Sequence, residues 1–97
     1  MAEYRVAVPV NIFNEDGQFV AYCPVLDLST SGRTFEQAQE RFQEALHMFI
    51  EDLVEQGTLG EVLQSHGWHK VSKPSPHWTP PKLVSSSAQE ASIPVGA

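Results

Sequence analysis

One stripe of a single long helix decides most of what this chain can become. At about 100° per residue, Ala38, Phe42, Ala45, Leu46, Phe49 and Leu53 fall in one sector, with Phe35 and Ile50 at its margins. Glu36, Glu40, Glu44, Glu51 and Glu55, with His47 among them, gather on the opposite side within roughly 100°. One face must be sealed against other structure, and the other is acidic with almost no cation beside it. The Thr34-x-x-Gln37 sequence is a capping box. Its threonine accepts from the Gln37 backbone N–H while the Gln37 side chain returns to the Thr34 backbone. Glu36 suits the positive end of the helix dipole. Gly57 supplies a left-handed stop at low cost, so the spacing predicts a helix over residues 35–56.

Upstream the period changes to two. Tyr4, Val6, Val8, Val10 and Ile12 alternate with Arg5, Ala7, Pro9, Asn11 and Phe13, as in a strand with one apolar face. Pro9 cannot donate to a ladder, which places an edge, a bulge or an unpaired stretch there. Asn14-Glu15-Asp16-Gly17 is a four-residue turn signal, and residues 18–23 resume the alternation. A β-hairpin over residues 4–23 is expected, ended by Pro24, with residues 28–31 as a third strand. Beyond the helix, residues 59–63 suggest a short helical turn stopped by Gly67, and residues 68–71 another short strand. The predicted order is β-β-β-α-(short α)-β.

Composition changes at Pro74. Residues 72–97 hold Pro74, Pro76, Pro80, Pro81, Pro94 and the run Ser85-Ser86-Ser87. Residues 1–71 are expected to form one α+β domain, with residues 72–97 an extended, mobile Pro/Ser-rich tail. Within the tail, residues 91–95 form a small apolar cluster with the makings of an edge strand, on its own sheet or a neighbour's. Charge divides in the same place. Residues 1–71 carry four Lys/Arg against eleven Asp/Glu, a net of −7, and the tail adds two Lys and one Glu to reach −6 overall.

A folded part of about 70 residues buries a limited fraction of its surface, so help from homo-oligomerisation is expected. The lone Cys23 allows no intramolecular disulfide. The N-terminus has no basic region followed by an apolar run, which points to the cytoplasm. Sparse Lys and Arg leave too few phosphate contacts for nucleic-acid binding.

Residues with chemical potential are few. His66 and His69 form an H-x-x-H pair, but no nearby carboxylate or Cys completes a ligand set, and they read as surface histidines. Cys23 occupies an apolar alternating position, where a free thiol acts as a small buried hydrophobe. No phosphate loop, G-x-S-x-G or H-E-x-x-H occurs. The acidic stripe reads either as a solvated outer face or as a docking surface for a basic protein. Trp68 is expected to pack against the helix. Trp78, set among prolines, is either an interface anchor or simply exposed.

Residues 19–28 (FVAYCPVLDL), then residues 31–38 (SGRTFEQA) and Glu44-Ala45-Leu46, resemble the core of the HicB-like antitoxins. The pieces in common are an Ala-Tyr-x-Pro strand end, a Gly-x-Thr-x-x-Glu/Gln-Ala helix start and a Glu-Ala pair further along. The likeness extends more weakly to Gly67-Trp68 and covers residues 4–71. It implies a partial ribonuclease H-like α+β fold in which a three-stranded antiparallel sheet (β-β-β-α-β order) packs on one long helix. It also implies a protein that neutralises a small basic RNA-cleaving toxin.

Two departures stand out. Asp27-Leu28 in a shorter loop replaces the family's Pro-Gly turn, and nothing after Val71 resembles a DNA-binding module. The strand faces offer Val, Tyr and Phe rather than the converging carboxylates that two-metal nuclease chemistry requires. The expectation is therefore a non-enzymatic domain without cofactor or metal, binding a basic toxin through Glu36, Glu40, Glu44, Glu51 and Trp78. The alternative is a solitary homo-oligomeric interaction module, assembled as a dimer or tetramer by tail-strand exchange. A degenerate metal-dependent nuclease is a third and more distant reading.

Overall fold

The computed structural model describes residues 3–96. Its elements run β1 (Asn11–Glu15), β2 (Gln18–Cys23), β3 (Leu28–Gly32), α1 (Phe35–Gln56), α2 (Leu59–Ser65), β4 (His69–Val71) and β5 (His77–Thr79). Strands β1, β2 and β3 form an antiparallel sheet in that order, while β4 and β5 pair separately. The α+β class, the three-stranded antiparallel sheet and the long helix are as the sequence predicts. Among the described residues, no helix is long and apolar enough to cross a membrane.

Alternation along β2 sets the sheet's two faces. Ala21 and Cys23 are fully buried beneath α1, and the register brings Ile12, Thr30 and Leu28 beside them on the same face. From the helix come Ala38, Phe42 and Leu53, and Leu26, Leu63 and Trp68 complete the buried set. Gly32 is where β3 and α1 meet. A Cβ there would lie 2.6 Å from the Ala38 backbone N, so the strand end approaches the first helical turn only because the residue has no side chain.

Both helices stop by the same device. Gly57 and Gly67 take left-handed backbones with φ of 71° and 85°. After α1, Gly57 N–H donates to the Val54 carbonyl and Thr58 N–H to that of Leu53. After α2, Gly67 N–H donates to Gln64 and Trp68 N–H to Leu63. These are paired Schellman bonds. The second pair drops Trp68 directly onto Leu63 in the core. At the start of α1, Thr34 Oγ1 accepts from Gln37 N–H at 3.0 Å as expected. The reciprocal bond differs by one residue, for Gln37 Oε1 accepts from Arg33 N–H at 2.7 Å rather than from Thr34.

Other expectations are corrected. The first strand begins at Asn11, not at residue 4, and residues 3–10 pair with no strand among the described residues. The register gives the reason. Asn11 faces Tyr22, so the next two positions would set Val10 against Cys23 and Pro9 against Pro24, where two prolines end the ladder. The hairpin turn is also tighter than four residues: only Asp16 and Gly17 lie between the strands, both at positive φ. That is a type I′ turn, matched to strand twist, and Asn14 Oδ1 accepts from Gly17 N–H at 3.1 Å.

The tail is not wholly unstructured, because His77–Thr79 pairs with β4. No strand forms at residues 91–95. From Lys82 onward every described residue is exposed.

Candidate functional site

The acidic face of α1 is presented as the helical period requires. Glu36, Glu40, Glu44, Glu51 and Glu55 are all exposed, while Ala38, Phe42 and Leu53 seal the other side. On this face His47 Nε2 lies 3.1 Å from Glu51 Oε1, one helical turn apart. Arg41 does not neutralise its neighbours. Its Nη1 donates to the Ser31 carbonyl at 3.1 Å, tying the helix to the end of β3. The carboxylates thus make an anionic strip without a Lys or Arg partner among the described residues.

Apolar positions interrupt that strip. Val54 falls in the same sector as Glu36 and Met48 at its border, counting about 100° per residue, and the two side chains are 58% and 61% exposed. Sequence reasoning passed over both, although an apolar residue outside the buried stripe is the signal that finds them.

Trp78 belongs elsewhere. It is half-buried on β5, opposite Lys70 of β4, whose Nζ lies 6.0 Å from the ring centroid. A Cβ on Gly60 of α2 would come within 3.1 Å of its ring. The indole therefore covers α2 and packs against the core cluster, rather than standing out as an anchor beside the glutamates. Trp68 is buried, with Nε1 donating to the Val25 carbonyl at 2.8 Å.

The candidates for chemistry are occupied by structural roles. His66 Nδ1 lies 2.8 Å from the Val62 carbonyl at the end of α2, and His69 is exposed on β4. Among the described residues, no group of three or more His, Cys, Asp and Glu is placed to hold a metal ion. The Cys23 thiol is buried, and desolvation pushes its pKa up, away from nucleophilic character. Tyr22 donates to Asp27 Oδ1 at 3.0 Å, which raises the phenol's pKa because ionisation would forfeit that bond beside a carboxylate. A polar concavity of about 450 Å³ lies at the start of α1, lined by Gln18, Ser31, Gly32, Arg33, Gln37 and Arg41.

The chain matches no protein-family model, and comparison with curated proteins and with solved structures finds no similar one.

Proposed function

We propose that this chain is a non-enzymatic, antitoxin-type domain of the HicB-like kind, acting in the cytoplasm to bind and neutralise a small basic RNA-cleaving protein. The observation that carries the reading is the anionic strip of α1, left without a Lys or Arg partner among the described residues and broken by the exposed side chains of Met48 and Val54. Such a strip draws in a cationic partner over a Debye length of about 10 Å. Water-excluding contact around the apolar positions then supplies affinity. The order of motifs from the Ala-Tyr-x-Pro strand end through the Gly-x-Thr helix start supports the same reading.

The test mixes the purified chain with the small basic protein encoded beside it and follows cleavage of RNA. Cleavage suppressed at equimolar chain, and restored by Glu40→Lys with Glu44→Lys, supports the reading. Unaltered cleavage at excess chain refutes it.

A second reading, a solitary homo-oligomeric module, draws on a different observation: Leu83, Val84, Ile93 and Val95 of the tail are all exposed. Oligomer mass measured before and after removal of residues 84–97 tests whether the tail holds copies together.

A further inference from the structure

We propose that residues 4–10 form the contact between two copies of this chain, pairing antiparallel with themselves about a two-fold axis at Ala7. The proposal does not rest on the existence of a basic partner. Its starting point is a conflict between local sequence and local structure. The Tyr4-Val6-Val8-Val10 alternation is the strongest β pattern in the chain, yet it pairs with no strand among the described residues. It also carries no turn or bend. Tyr4, Val6 and Val10 are 58%, 42% and 37% exposed. Natural sequences agree with their structures level by level; within the chain Tyr4 stacks on His77 and Val8 packs on the core, and a strand from outside would supply the backbone pairing that the pattern still lacks.

The hydrogen-bonding phase of this arm is fixed by the hairpin that follows it. A type I′ turn of two residues closes on a hydrogen-bonded pair, here Glu15 and Gln18. Bonding alternates along an antiparallel ladder, so the odd residues of β1 turn their backbone groups toward β2 and the even ones turn theirs to the free outer edge. Carried into the arm, that phase offers the N–H and C=O of Tyr4, Val6, Val8 and Val10 to a partner. The missing N–H of Pro9 then falls on the inner side, where it costs the outer ladder nothing.

A second copy fits this edge. With Ala7 facing Ala7 of the other copy, Val6 opposes Val8 and Tyr4 opposes Val10. All four apolar side chains then stay on one face in β-branched and aromatic pairs. Charge selects the same place. Residues 4–14 contain one cation, Arg5, and no carboxylate, in a chain of net charge −6. Two copies thus meet here without opposing acids, and each Arg5 is brought toward the acidic body of its mate.

Sedimentation equilibrium of the full chain should give twice the 10.8 kDa of one chain. Val6→Pro removes an outward donor from an exposed position, and should halve that mass while leaving the helical far-UV circular dichroism signal in place and making the melting temperature independent of protein concentration. Ala7→Cys places two thiols at a non-hydrogen-bonded pair on the axis and should cross-link rapidly on mild oxidation. Arg5→Cys, displaced along the ladder from its own copy, should not. The proposal is overturned by a wild-type mass of one chain, by a two-chain mass in Val6→Pro, or by cross-linking of Arg5→Cys in preference to Ala7→Cys. It is also overturned if deletion of residues 84–97 halves the mass while Val6→Pro does not.

Discussion

The Trp68 indole donates its N–H to the Val25 carbonyl across 43 residues of sequence, at 2.8 Å. That bond joins the segment after α2 to the loop after β2, and the ring beneath it is buried in one cluster with Leu63 and Phe42. Trp68→Phe keeps much of the ring but strands the Val25 carbonyl, at a cost of about 1–3 kcal/mol. Trp68→Ala adds a cavity and should cost about 3–5 kcal/mol. Urea denaturation of the three proteins should rank them in that order.

The two glycines Gly32 and Gly17 should respond to alanine for opposite reasons. At Gly32 the new Cβ meets backbone, 2.6 Å from Ala38 N and 2.9 Å from the Gln37 carbonyl carbon. Relief requires α1 to move off β3, and a loss of about 3 kcal/mol, the upper range for overpacking, is expected. At Gly17 nothing lies within 4 Å, and only the φ of 83° resists. The expected loss there is about 1–2 kcal/mol. Thermal melts of the two variants measure the difference.

Glu40→Lys with Glu44→Lys alters exposed positions whose carboxylates make no ion pair among the described residues. Stability should stay within about 0.5 kcal/mol of the parent. Association with a basic partner should slow at low ionic strength, and the difference from the parent should shrink as salt is added. Stopped-flow association at several salt concentrations measures it.

Alkali should weaken the fold through Cys23. Burial raises its thiol pKa above the ordinary 9.0, outweighing the opposite pull of hydrogen bonds from the Val25 and Leu26 backbones. As pH rises past 9.0 the unfolded chain ionises first, so the stability is complete below that value and is lost as pH climbs toward the folded pKa. Tyr22 acts in the same direction from 10.0 upward, because its hydroxyl is held by Asp27. Urea midpoints should be level from neutrality to about pH 9 and fall above it. In Cys23→Ala the onset of that fall should move upward in pH.

The sequence showed α1 to the residue because its ends are written locally: Thr34 and Gln37 at one, Gly57 at the other. The third strand, α2 and the buried positions of β2 were legible for the same reason, since each follows from period and punctuation. The arm was not. Tyr4 through Val10 carry a strand pattern, but whether a strand forms depends on what lies opposite, and the register leaves Pro24 there. His77–Thr79 was hidden among prolines, since a strand of three residues is too short to show a period and exists only because β4 accepts it. At the candidate site the glutamates were visible as a face. The packing of Trp78 over α2 was not legible, because it depends on the absence of a side chain at Gly60, a tertiary fact.

Strands β1 and β3 each leave one flank of the main sheet without a neighbour among the described residues, and a molecule with two such flanks is a potential brick for endless stacking. Its surplus of negative charge keeps the bricks apart at neutrality. Acidification toward the isoelectric point near 5.0 removes that insulation while the flanks stay bare. The protein should therefore turn cloudy there and clear again once the pH is restored, and Phe13→Lys, at an exposed position of β1, should keep it clear at that pH.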